Sequence, residues 1–460
     1  MMKNLTLEHI AAACHGTYYG PEEKKSQCIE AVTTDSRKIE KNCLFVPIVG
    51  ARADGHKFID QVMDQGALAT LSERPLGDVE FPYIQVESSL QAVKDLAKYY
   101  LEQLQIPVVG ITGSVGKTST KEMIAAVLEQ KFRVLKTLGN FNNELGLPLT
   151  VFRLCEEDEI AVLEMGISDF GEMHRLASIA QPNTCVITNI GTCHLENLGD
   201  RDGVLKAKTE VFDHLKPDAT VILNGDDDKL ITVKEVQGKA PIHFGMNPDF
   251  PLYADEIESK GLKGIACKIH TPKGAFSVVV PIPGRHMVYN ALAGTAVGLA
   301  YGMELSEIQK GIESLQSLSG RFHIIENENY TIVDDCYNAN PMSMKASLGI
   351  LKDAMGRKVA VLGDMGELGA NEKELHREVG TFAGTCGIDL LICVGILAKE
   401  IAEAAKMSSK AEGKALGIVH FATLKDLLAH LGEQVKQGDT ILVKASHFMN
   451  FGKVVEALQK

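Results

Sequence analysis

Gly110-Ile-Thr-Gly-Ser-Val-Gly-Lys-Thr118 decides the reading of this chain. The apolar run Ile106-Pro-Val-Val109 before it reads as a buried strand, and Ser119 to Gln130 after it reads as a helix. A glycine-rich turn between a strand and a helix aims backbone N–H groups and a helix N-terminus at one point, which makes an anion cradle. In that frame Lys117 reaches the β- and γ-phosphates of a nucleoside triphosphate, ATP first among them, and the Thr118 hydroxyl binds Mg2+. The strict pattern asks for glycine where Ile111 stands, so only the core from Thr112 to Thr118 matches. A tight turn with an incidental lysine is the plainer reading, and the flanking strand and helix argue against it. The shortened motif points to one branch of P-loop proteins.

Around this stretch, 460 residues suggest about three domains. Hydrophobic residues make up 45% and charged residues 23%, the balance of a soluble globular protein. No apolar run approaches the roughly 20 residues that span a bilayer. The N-terminus lacks a signal-peptide core, so a cytoplasmic location is expected, with a monomer and no membrane insertion. A net charge of −13 without a basic stripe argues against nucleic acid. It leaves room for small anionic ligands, which need only local positive charge. Ten cysteines stand singly, with no C-x-x-C pair, and Cys185 and Cys393 sit in apolar runs as small core residues.

The fold class predicted is α/β in three domains. Residues 1–100 form a small α/β unit, with a helix at Leu7–Cys14, strands near 29–37, 43–49 and 67–71, and a helix near 56–65. Residues 101–315 form a central P-loop domain on a parallel sheet, strands and helices alternating. Ile160 to Gly166 and Cys185 to Gly191 are continuous apolar runs that suit strands buried on both faces. Residues 316–460 restart the pattern as a doubly wound, Rossmann-like domain, with strands at 330–334, 358–363, 390–395 and 440–445.

Ligands of open α/β sheets sit at the carboxyl ends of strands, where Glu164, Asn189 and His194 fall. Glu164 ends a hydrophobic strand downstream of the P-loop, the place for an acid that holds Mg2+. Its bland reading is a solvated strand end, and that of His194 a loop histidine. Lys206 and Lys208 read equally as a solvated helix face. Arg321, in Leu-Ser-Gly-Arg-Phe, could reach a γ-phosphate, and Asp334 or Asp335 could hold ribose hydroxyls; spacing alone does not choose.

Together these residues resemble the Mur ligases, the ATP-dependent amide-forming enzymes of peptidoglycan synthesis. The resemblance rests on Thr112–Thr118, Gly139-Asn-Phe-Asn-Asn-Glu-Leu-Gly-Leu-Pro148, Glu164-Met-Gly, Thr188-Asn-Ile-Gly, Lys206-Ala-Lys208, Gly284 to Asn290, Asp334 to Pro341 and Leu362 to Gly369, spread over the whole chain. The Asn-Phe-Asn-Asn and Tyr-Asn-Ala-Asn-Pro segments are similar to the branch that adds D-alanyl-D-alanine to UDP-N-acetylmuramoyl-tripeptide. The alternatives are a MurE-type amino-acid ligase and a folylpolyglutamate synthase.

The resemblance implies an ADP-forming carboxylate–amine ligase that uses ATP and Mg2+ at two sites. It implies that Gly113, Ser114, Val115, Gly116, Lys117, Thr118 and Ser119 hold the ATP phosphates, with Asn290 near adenine, Arg321 at the γ-phosphate and Asp335 at the ribose. Thr118, Glu164, His194 and Lys208, the last as a carbamate, would surround the Mg2+ ions. Lys117, Lys208, His194 and Arg321 would be catalytic. Ser36 and Arg37 would hold the uridine nucleotide, and Asn142, Asn143, Asn338 and Asn340 would face substrate. Where many relatives carry an arginine near the C-terminus this chain has His447, and no role is carried over to it.

Overall fold

The computed structural model describes residues 2–50, 53–413 and 415–460. Among the described residues three sheets, each with its own helices, make the three-domain α/β fold. The chain gathers into two compact units: Met1–Ile190 with Leu205–His243 and Ala293–Glu307, and Gly191–Val204 with Phe244–Leu292 and Ile308–Lys460. Among the described residues no helix is long and apolar enough to cross a membrane.

The first unit holds two sheets. Its N-terminal sheet comprises β1 (Thr17–Tyr19), β2 (Val32–Thr33), β3 (Leu44–Phe45), β4 (Ala69–Ser72) and β5 (Tyr83–Gln85), in spatial order β1-β5-β4-β3-β2. Only the β1–β5 pair is antiparallel. The second is the parallel run β10-β9-β6-β8-β7 of a nine-stranded sheet, from β6 (Val108–Thr112), β7 (Val134–Lys136), β8 (Ile160–Glu164), β9 (Thr184–Ile187) and β10 (Thr220–Asn224). Every residue of β6, β8 and β9 is buried. That is why these strands read as unbroken apolar runs rather than alternating ones: helices cover both faces.

The second unit departs from simple alternation. After β11 (Ile242–Gly245) come β12 (Leu252–Ser259), β13 (Ile265–Thr271) and β14 (Gly274–Val280), an antiparallel meander where strands and helices were expected to alternate. Its strands are half polar and one-sided, as in Gly274–Val280 with only Val278 and Val280 buried, so they lack the apolar run of a central parallel strand.

The same unit carries the C-terminal sheet, ordered β15-β16-β20-β17-β18-β19. Its members are β15 (His323–Glu326), β16 (Tyr330–Asp334), β17 (Lys358–Gly363), β18 (Leu390–Val394), β19 (Gly417–Phe421) and β20 (Asp439–Lys444). All pairs are parallel except the β15 edge. Side-chain alternation splits its core in two. Ala360 and Leu362 of β17 pack with Leu391, Cys393 and Leu442 on one face, and Val359 and Val361 with Ile392, Ile441 and Val443 on the other. The edge strands β15 and β19 were not read in the sequence; neither contains a fully buried residue.

Candidate active site

The P-loop of the first unit is built as its sequence requires. Gly116, at φ +83°, precedes the helix Lys117–Leu128, and Gly113 turns the chain at φ +150°. A Cβ on Gly113 would stand 1.9 Å from Thr188 Oγ1, so the end of β9 and the loop touch where only glycine fits. Asn189 shapes the loop from that side. Its Oδ1 accepts the Val115 N–H (3.0 Å), its Nδ2 donates to Val115 O (2.9 Å), and its own carbonyl accepts the Ser114 N–H (3.0 Å). Thr188 Oγ1 donates to Val115 O as well, at 2.8 Å. Lys117 folds over the loop and donates to Gly113 O at 2.9 Å.

Beside the helix N-terminus lies a buried oxygen pair. Thr118 Oγ1 donates to Glu164 Oε2 at 2.9 Å, and Asn142 Nδ2 donates to Glu164 Oε1 at 2.8 Å. The Glu164 backbone N–H donates to Thr137 Oγ1 at 3.0 Å. Gly166 lets Asn142 approach: a Cβ there would meet the amide at 2.9 Å, and its N–H donates to Asn142 O. A hydroxyl and a carboxylate are hard oxygen donors, and Mg2+ takes one or two such ligands with phosphate oxygens and water, so the pair fits that ion. Among the described residues no three His, Cys, Asp or Glu side chains gather at metal-ligand spacing.

Other residues of this unit are placed as follows. Lys208 is buried near the end of the helix Arg201–Thr209. Asn143 is exposed and its Oδ1 accepts the N–H groups of Leu145 and Gly146, closing the turn into the helix Gly146–Val151. Ser36 is half-buried; the exposed Arg37 forks onto Asp35 at 2.8 and 2.9 Å. The Arg37 side chain, and then its backbone N–H, pull the Asp35 carboxyl down to about 2.

The second unit holds the rest. His194 has φ +54° and lies 3.8 Å, Nδ1 to Oε2, from Glu367. Asn290 is buried in the helix His286–Ala300, its Nδ2 3.2 Å from Met287 Sδ. Arg321 stacks over the Tyr337 ring, 4.1 Å from its centroid. Asp335 is held from three sides: Lys444 Nζ at 2.7 Å, Ser347 Oγ at 2.6 Å and the Phe322 N–H at 3.2 Å. Asn338 is exposed, while Asn340 caps the helix Pro341–Leu351 in a reciprocal box with Ser343. His447 is exposed, its ring 5.6 Å from Tyr337.

Comparison with known proteins gives the family. Residues 28–109 match the Mur ligase family catalytic domain, 111–298 the Mur ligase middle domain, and 320–447 the Mur ligase glutamate ligase domain. A UDP-N-acetylmuramoyl-tripeptide–D-alanyl-D-alanine ligase of Bacillus subtilis (strain 168) is 39% identical over 458 residues, 98% of each chain. The chain belongs to the Mur ligase family. As a Mur ligase it also superposes on a crystal structure of MurF from Acinetobacter baumannii, with a TM-score of 0.88 at 33% identity over 99% of both chains. A Thermotoga maritima MurF in complex with ADP gives a TM-score of 0.81 at 31% identity, covering 94% of this chain and 97% of that one.

Some functional neighbours in this Mur ligase carried little signal in the sequence. Thr137 and Gly166 act through a hydroxyl and a missing side chain. Lys444 and Tyr337 lie far from their partners along the chain. Asn189 was read at the carboxyl end of a strand, but its bonds to Val115 across the loop were not legible.

Proposed function

We propose that this Mur ligase joins D-alanyl-D-alanine to UDP-N-acetylmuramoyl-tripeptide at the expense of ATP, forming an acyl phosphate on the way. The observation that carries the reading is the Thr118–Glu164 pair under a P-loop, in a chain 39% identical end to end to a ligase of that name. Residues 1–100 bind the UDP-sugar peptide, 101–315 bind ATP, and 316–460 complete the ligase site. The product serves peptidoglycan synthesis in the cytoplasm, and through it cell-wall growth, cell shape and division.

A carboxylate oxygen of the tripeptide attacks the γ-phosphorus; an O–P bond forms, the bond to the β-phosphate oxygen breaks, and ADP leaves. The dipeptide amine then attacks the acyl carbon. A C–N bond forms, the amine loses its proton, and inorganic phosphate departs from the tetrahedral intermediate. Gly113 to Ser119 orient the phosphates. Lys117 exchanges Gly113 O for a phosphate oxygen, and Arg321, held flat on Tyr337, offsets charge on the transferring group. Asn290 lies at adenine. Asp335 keeps acceptor capacity for a ribose hydroxyl, since a carboxylate has about four lone-pair sites and three are taken. Thr118 and Glu164 would hold Mg2+, with His194 and Lys208, the latter as a carbamate, as further candidate ligands, and the ion would supply charge neutralisation between two anionic reactants. Ser36, Arg37, Asn142, Asn143, Asn338 and Asn340 face the UDP-peptide or dipeptide.

Lys208 is buried, and a lysine takes up CO2 as a carbamate through its neutral amine. Lys208→Ala is expected to lose nearly all ligation; wild-type turnover in that variant ends the carbamate reading. The function itself is tested by phosphate release with ATP, Mg2+ and UDP-N-acetylmuramoyl-tripeptide, followed by mass analysis of the product. Release and pentapeptide that both require D-alanyl-D-alanine support it. Turnover with a single amino acid or a folate instead moves the chain to a sibling ligase.

A further inference from the structure

Glu144 has no part in the chemistry above, yet it is the meeting point of three elements. It sits in the segment that carries Asn142 from the end of β7 to the helix Gly146–Val151. One carboxylate oxygen takes Lys94, from the helix Ser89–Leu104, and the other takes Arg175, from the helix Glu172–Ala180. Lys94 is more than nine-tenths buried, and the Glu144 side chain is 24% exposed. Burying Lys94 costs desolvation that offsets much of its attraction to Glu144, so what the pair chiefly fixes is geometry.

The geometry fixed here is that of Asn142. The same segment is anchored at its start by Lys121, a fully buried lysine on the P-loop helix that donates to Thr137 O at 2.6 Å and pairs with Glu122. Between the two anchors the chain sets Asn142 against Gly166 and Glu164. An asparagine amide can hold a carboxylate in one orientation only if its own backbone is held.

We propose that Glu144 is a positioning residue for the Mg2+–nucleotide site: its pairs with Lys94 and Arg175 fix the segment so that Asn142 turns the Glu164 carboxylate toward Thr118. The inference rests on the reading of Thr118 and Glu164 as Mg2+ ligands. Groups that orient metal ligands from outside typically change metal affinity 10- to 100-fold.

The test is calorimetric titration of Mg2+ into the full chain with saturating ADP, beside steady-state kinetics. In Glu144→Gln, Mg2+ binding should weaken about tenfold. kcat should fall and KM for the dipeptide should hold. Lys94→Arg, which keeps the charge, should retain most of the affinity. Asn142→Ala should weaken Mg2+ similarly, and the double variant should be no worse than Asn142→Ala alone, because both act through one contact. Additive losses would overturn the proposal, as would a Glu144→Gln protein that melts earlier but binds Mg2+ like wild type. If Glu144→Gln does not fold, Arg175→Met, on a side chain 45% exposed, is read instead: weaker Mg2+ binding supports the proposal and unchanged binding overturns it. Glu164→Gln separates the two readings. Unchanged Mg2+ affinity there removes the metal assignment and this proposal together, whereas loss there with none in Glu144→Gln or Arg175→Met removes this proposal alone.

Discussion

A single missing Cβ shows how tightly the nucleotide cradle is drawn. Gly113 lies against Thr188 Oγ1 at a distance no side-chain carbon tolerates, and its φ of +150° is one that L-residues rarely adopt. Gly113→Ala must therefore push the loop away from β9 and break the Thr188 and Asn189 bonds to Val115. Two or three hydrogen bonds at about 1 kcal/mol each predict a loss in ADP affinity of at least tenfold, read by calorimetry on the folded variant. Wild-type affinity would show that the loop is not held by the strand end. At this scale the sequence was legible where one residue type has one use: Gly113, Lys117 and Thr118 announce themselves by spacing. Asn142 was expected to face substrate, and its bond to Glu164 was not legible, because the parallel pairing of β7 with β8 is what draws the two segments together.

Elements follow the same division. The strand–turn–helix from Val108 to Leu128, the buried strand β8 and the inner parallel strands β16, β17, β18 and β20 of the C-terminal sheet were readable, because burial on both faces leaves a largely unbroken apolar run. The meander from Leu252 to Val280 was not, because one-sided strands mix polar and apolar residues and carry a weaker signal. The helix Pro341–Leu351 offers a test that separates architecture from recognition. Asn340 caps it, with Pro341 in the first turn. Asn340→Ala should lower stability by about 1 kcal/mol, seen in denaturant titration, and Asn340→Ser should restore most of it. A rise in KM for the dipeptide that persists in the serine variant would assign Asn340 a contact with substrate; full kinetic recovery would leave it a cap.

Across the whole molecule, the pairs that brace the catalytic layer also set its response to acid. Burial pushes the Glu122 carboxyl up, but hydrogen bonds and charge from Lys121 and Lys136 outweigh it and hold the group below the usual glutamate range. Glu144 is lowered in the same way, burial opposing and Lys94 and Arg175 prevailing. A carboxyl lowered in the folded state adds stability above its unfolded value of about 4.3, and that stability is lost as the pH falls through the folded value. The difference in melting temperature between wild type and Glu122→Gln should accordingly be largest near pH 6 and shrink by pH 3. A difference that stays constant across that range would mean the carboxylate charge is not what the variant removes.

The amide of Asn189 meets Val115 through main-chain atoms alone, one bond in each direction. Such a handshake is indifferent to the side chain it grips and intolerant of any change in the hand. In a saturation library selected for ligase activity, position 115 should accept many residue types, while position 189 should accept almost none, aspartate included, since a carboxylate can return only one of the two bonds. The freedom of one residue to drift is thus underwritten by the fixity of another far along the chain.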